Sequence, residues 1–261
     1  MSVGGLCHGQ AMSESQPESL SGRTFRNRTL RETTFISCDL SEVVVRGSEV
    51  AGMEIDSPWL LEEGGRLLVN GVDVVPLVDA ELNRRFPGRE LRRAADPDGL
   101  RSAWAALEAT WAATLERAAA MPAGTVDETV DDEWSFAQTL RHLVLATDTW
   151  LGKAILEREQ PYHPIGLPKH DHDTEPYDES AFSAEMPSFE EVLAARAGRQ
   201  AMVRDFLADL DPQGLAASRR NPHAPDHEET VLSCLHTILE EEWEHHRYAV
   251  RDLDTLVARL H

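Results

Sequence analysis

Lysine is almost missing from this chain of 261 residues: Lys153 and Lys169 stand against 46 acidic residues, and the formal net charge is −21. Counterion release needs a basic surface, so this balance argues against nucleic acid or an anionic membrane as partner. Cysteine is scarce as well. Cys7, Cys38 and Cys234 have no paired spacing, which provides neither a disulfide framework nor a zinc ribbon and suits a reducing cytoplasm. No apolar run approaches the roughly 20 residues that span a bilayer. Glycine-rich phosphate loops, a nucleophile elbow and Cys-x-x-Cys are all missing, so nucleotide binding and serine hydrolysis are poorly supported.

What remains is ordinary for a globular protein, 41% hydrophobic and 27% charged, with room for one or two domains. Residues 1–20 are rich in Gly, Ser and Gln and read as a disordered leader. A repeat follows over 21–57. Phe25, Leu30, Phe35, Leu40, Val45, Val50 and Ile55 recur at intervals of five, with Thr33, Cys38, Val43, Ser48 and Met53 two positions before the later members. A period of five fits neither an α-helix nor a flat strand. Residues 58–96 then hold a hairpin around Asn70-Gly71, a short helix near Val78–Phe86, and a linker opened by Pro87-Gly88.

From Asp96 the pattern is helical. Asp96-Pro97 starts a first helix that runs to about Met121, with Leu100, Trp104, Leu107, Trp111 and Leu115 on its buried side. A second spans about Trp134–Arg158. The segment 159–187 has no period and is rich in Pro, His and acids. Ser188 with Glu191 caps a third helix, and Asp226 with Glu229 is expected to cap a fourth that runs almost to the C-terminus. Four amphipathic helices with one long crossover predict a four-helix bundle over 97–261.

The last helix carries the chemistry. Its apolar stripe reads Leu232, Leu235, Leu239, Glu242, His246, Ala249, Leu253, so two ionisable groups occupy positions that leucine would fill. An unpaired buried charge is strongly unfavourable, and a bound metal would relieve it. An i, i+4 Glu/His pair presents both donors on one helix face, and His142 on the second helix would supply a third. Such a set leaves an open coordination position, as catalytic zinc sites do. Zinc is the default metal; nickel, iron and manganese also suit these donors. Arg247, Asp148 and His163 are secondary candidates for catalytic roles, although Arg247 is expected to pair with Glu244 or Asp252. The run His163–His172 is expected to form a lid.

Two resemblances follow from these residues. The five-residue period resembles the pentapeptide-repeat family, whose right-handed β-helix places one pentapeptide on each side of a square coil. Seven units make fewer than two coils, too few to bury a core alone, so the helical part is expected to cap them. Trp134-Ser135, Thr139–Leu143 with His142, and Glu242-x-x-x-His246-Arg247 resemble the DinB-like four-helix-bundle superfamily. Glu242 stands where the commoner pattern has histidine. The mycothiol-dependent maleylpyruvate isomerases are similar in using a His/Glu/His zinc triad. The resemblance implies a mainly α fold, a divalent metal on His142, Glu242 and His246, and a small-molecule thiol that attacks an electrophile in S-transfer or isomerisation. It also implies a homodimer. The competing reading is a non-catalytic metal-binding or interaction protein with the repeat as its contact module.

Overall fold

The computed structural model describes residues 19–61, 64–168 and 177–259. Most of the leader expected at 1–20, along with His170 and His172, lies outside those residues. The chain divides into two compact units, the first ending at Ile55 and the second beginning at Asp56.

In the first unit the sequence period of five is written into the backbone. Gly22, Asn27, Glu32, Ser37, Glu42, Gly47 and Gly52 all have left-handed φ values between 51° and 77°. Tight turns repeat every ten residues, with the amides of Arg23, Thr33, Val43 and Met53 donating to the carbonyls of Leu20, Leu30, Leu40 and Val50. No strand occurs among the described residues of this unit, so the expected β-helix is not shown. Its apolar side chains stay about half exposed, Leu40 at 48% and Phe25 at 59%. Turns are specified locally, whereas a coil interior needs neighbours to close it.

The second unit opens with a hairpin, β1 (Leu68–Val69) and β2 (Val72–Asp73), turned by Asn70 and Gly71 at φ 51° and 83°. Both central residues in the left-handed region make this the turn that Asn-Gly predicts. Helix α1 covers Val75–Arg85, starting three residues earlier than expected because Pro76 suits its first turn. Arg89 and Arg92, both buried, converge on Asp79 at 2.8 and 2.7 Å and fold the linker back on α1.

Four long helices form the core: α2 (Pro97–Ala119), α3 (Phe136–Thr147), α4 (Phe189–Ala208) and, after the short α5 (Pro212–Leu215), α6 (Val231–Ala258). Helix α2 packs on α4 and α6, and so does α3. That places α4 and α6 at opposite corners of the bundle. Trp104, Leu107, Trp111, Leu140, Leu143, Ile238 and Leu253 fill the space between them. Asp96 caps α2, while Ser135 and Ser188 form capping boxes with Gln138 and Glu191. Asp226 does not cap α6. Glu228–Thr230 instead forms a strand, β4, antiparallel to β3 (Ser218–Arg220), and Thr230 accepts the Ser233 amide. Two strands satisfy more backbone groups here than one capping box would.

Helix α3 continues beyond Thr147 as a π-helical stretch, Asp148–Ile155. Asp148 is fully buried there. It takes both nitrogens of the Arg199 fork at 2.7 and 3.1 Å and accepts the His163 amide at 2.8 Å. The crossover is stitched further along α3, since Arg141 donates to Ile165 O at 2.9 Å and the Leu167 amide reaches Arg141 O at 3.3 Å. Asp148→Ala should therefore cost about 2 kcal/mol, by leaving a half-buried Arg199 unpaired. Urea denaturation measures the cost, and hydrogen exchange should show the His163 amide losing protection. Unchanged protection would mean that Asp148 does not hold the crossover.

Candidate functional site

The stripe read from the sequence is the buried face of α6: Leu235, Leu239, Glu242, His246, Ala249 and Leu253 are all within the core. Glu242 and His246 meet protein partners there. Glu242 meets Arg196 of α4 at 2.5 Å across the bundle, with both side chains buried. His246 Nε2 lies 2.8 Å from Thr114 Oγ1. The Thr114 hydroxyl also lies 3.2 Å from Thr110 O, and it can donate to that carbonyl while accepting from the imidazole. Burial holds His246 down to about 4, so the ring is neutral at physiological pH. Both groups found protein partners that sequence reasoning had not singled out, Arg196 and Thr114.

Beside this core pair, one residue earlier on the helix, Glu241 and His245 repeat the Glu-x-x-x-His spacing. One residue is 100° of rotation. It carries this second pair from the core face to the edge, where α6 meets α3. There His142, Glu241 and His245 bring one donor atom each to within 4.8 Å of the others. His142 Nε2 is 3.5 Å from Glu241 Oε2, and the two imidazole centroids are 4.7 Å apart. All three side chains are partly open to solvent, at 14%, 34% and 16%. The structure thus brings His142 to Glu241 and His245, and not to Glu242 and His246.

The hydrogen bonds orient these rings. His142 Nδ1 lies 3.3 Å from Leu167 O, and His245 Nδ1 lies 2.9 Å from Glu241 O. A carbonyl can only accept, so in these bonds Nδ1 carries the proton. At His142 that leaves Nε2 facing the Glu241 carboxylate, 3.5 Å away, where a proton or a metal cation satisfies both groups. Burial pushes the Glu241 carboxyl up, but His142, His245 and His223 outweigh it and bring it down to about 2. The donor set is therefore ready for a divalent metal: two imidazoles and one carboxylate, with Leu167 holding His142 from behind. Trp134, just before α3, covers the rings at centroid distances of 4.6 and 6.1 Å.

The secondary candidates have other occupations. Arg247 pairs with Glu244 at 3.0 Å, as its neighbours suggested, and binds Asp56 through both terminal nitrogens at 2.7 and 3.0 Å. Asp148 holds the crossover. His163 Nδ1 accepts the Ile165 amide at 3.2 Å, and burial together with Arg199 lowers its affinity for a proton. Trp243, adjacent to the expected ligand, is a core side chain at 1% exposure. His223 packs edge-on to Trp150 at 5.4 Å.

Residues 106–249, just over half the chain, match the DinB superfamily. The chain belongs to that superfamily. The matched span runs from within α2 into α6, so this DinB protein carries all three convergent residues inside its family region. Searches of curated proteins and of solved structures return no match.

The neutral His246 makes stability depend on pH. In the unfolded chain it titrates near 6.5, and in the fold near 4. Between those values only the unfolded state takes the proton, so stability present above pH 6.5 is lost as pH falls towards 4, by about 3 kcal/mol. Urea denaturation in the presence of a chelator, at several pH values across that window, measures the slope. His246→Leu should abolish it; an unaltered slope would assign the titration elsewhere.

Proposed function

We propose that this DinB protein binds one divalent metal, zinc by default, on His142, Glu241 and His245, and uses it to activate a small-molecule thiol against an electrophile. The observation that carries the reading is the meeting of three donors from two helices at a half-open edge, with the His142 ring turned by Leu167 so that Nε2 faces Glu241. Three ligands leave a vacant coordination position, the arrangement of a catalytic rather than a structural site.

A metal in this set would stabilise the thiolate form of a coordinated thiol at neutral pH. The chain's own groups do the rest. Glu241 stays ionised, so the site keeps its affinity for cations through the physiological range. Leu167 O holds the His142 ring with Nε2 toward Glu241, and Glu241 O accepts from His245 Nδ1. Trp134 packs against both ligand rings. Mycothiol as the thiol, and S-transfer or isomerisation as the outcome, follow from the likeness to the maleylpyruvate isomerase branch. Zinc, nickel, iron and manganese all suit the donors. The pentapeptide-repeat character of residues 21–57 is likewise inferred from its period and its regular left-handed turns.

Metal analysis of the purified protein should find about one divalent ion per chain, lost in His142→Ala and His245→Ala and retained in His246→Leu. Retention in His245→Ala with loss in His246→Leu would return the site to the core pair and sink this assignment. The metal-loaded protein should then consume a low-molecular-weight thiol in the presence of an epoxide or alkyl halide. Stoichiometric metal without any thiol-dependent turnover leaves a non-catalytic metal-binding protein.

A further inference from the structure

Arg89, Arg92, Arg141 and Arg196 are the buried arginines among the described residues. Asp79 answers the first two and Glu242 the last. Arg141, 7% exposed, stands apart. No carboxylate among the described residues pairs with it, and no acid offsets the burial of its charge. In a chain with 46 acidic residues, a buried cation left unmatched needs a reason.

Bracing the crossover does not supply one. Nε donates to Ile165 O at 2.9 Å, a bond that a neutral amide could make without an uncompensated charge. Nη1 has only a thioether as acceptor, Met186 Sδ at 3.4 Å, and Nη2 has no partner among the described residues. A thioether is a weak acceptor. Met186 is itself 76% exposed, so little holds it over the guanidinium. The two terminal nitrogens form the planar edge that fits a carboxylate through two parallel hydrogen bonds.

We propose that Arg141 is an oxyanion subsite for a carboxylate carried by one of the reactants, which displaces Met186 Sδ and takes Nη1 and Nη2 while Nε keeps Ile165 O. The place suits the metal edge. Consecutive residues of α3 are fastened to one short stretch of the crossover, Arg141 to Ile165 O and His142 to Leu167 O. A reactant anchored on Arg141 is thereby held on the segment that orients His142. Its part in the reaction rests on the metal reading above; binding of the anion does not, and is measured without metal.

Calorimetric titration of the full chain, kept metal-free by the uncharged chelator phenanthroline, tests the subsite. Sodium succinate is the probe, and sodium chloride at matched ionic strength is the control. The wild type should bind a single succinate. Arg141→Gln should weaken binding about tenfold or more, because a charge-assisted pair is lost. Met186→Ala removes the competing acceptor and should tighten it. Arg141→Lys retains the charge should glutamine fail to fold, and it should still lose affinity because it lacks the fork. Succinate that binds no better than chloride overturns the proposal. So does an Arg141→Gln or Arg141→Lys protein that binds like the wild type, a Met186→Ala protein that binds more weakly, or inorganic phosphate that binds more tightly than succinate. In the metal-loaded protein, Arg141→Gln should raise the KM of one reactant about tenfold with kcat little changed, which identifies the carboxylate's bearer as thiol or electrophile. A fall in kcat with both KM values unchanged would reduce Arg141 to a brace. Absence of any turnover would sink the thiol reading and leave the succinate result standing.

Discussion

The ion pair between Arg196 and Glu242 fixes the rotation of α6, and the candidate metal site depends on that rotation. Both groups are buried, and they join opposite corners of the bundle at 2.5 Å. A pair of leucines would serve stability as well or better, because desolvating two charges consumes most of their attraction. What leucines would not supply is discrimination. An apolar stripe tolerates a slip, whereas a carboxylate that leaves its one guanidinium is an uncompensated charge in the core. His246 adds a second constraint one turn later, through Thr114 on α2. With α6 held from two sides, Glu241 and His245 can point only to the edge shared with α3.

That edge suits chemistry for the same reason that the core does not. A fully buried Glu242 has no route for a substrate, and its charge is already matched. Glu241 is a third exposed, and its partners are two imidazoles whose protons are committed to carbonyl oxygens. The crossover contributes by geometry rather than by reactive groups. Asp148 and Arg141 hold residues 163–167 against α3, which places Leu167 O behind His142. The Asp148 and His163 that sequence alone offered as catalytic groups thus act two steps away, on the position of one ring.

Much of this was legible in the residues. The four helices, their long crossover, the Asn-Gly hairpin and the caps at Asp96 and Ser188 follow from local rules that the fold leaves intact. So does the stripe on α6, read with the right phase. The step from burial to a metal is the one that local rules do not decide. An ionisable residue in a core stripe needs a partner, and a metal is only one kind. Arg196 sits in a helix of weak amphipathic pattern, among Ala-Ala-Arg-Ala-Gly-Arg-Gln, where nothing local says that one arginine turns inward and Arg199 reaches Asp148 instead. Pairing across a bundle is a tertiary fact. The available clue was that Glu241 and His245 offer the same spacing from a position that solvent can reach.

The two units obey opposite logics. In the helical unit buried charges meet opposite charges of known place: Glu242 meets Arg196, Asp148 meets Arg199, and Arg89 and Arg92 meet Asp79. In the segment before it, charge and apolar surface are both outside, and the chain supplies a basic half and an acidic half in sequence. A bundle can complete itself because its helices bring their faces to one another. A short run of five-residue units cannot, since each contacts only its neighbours and the row stays open.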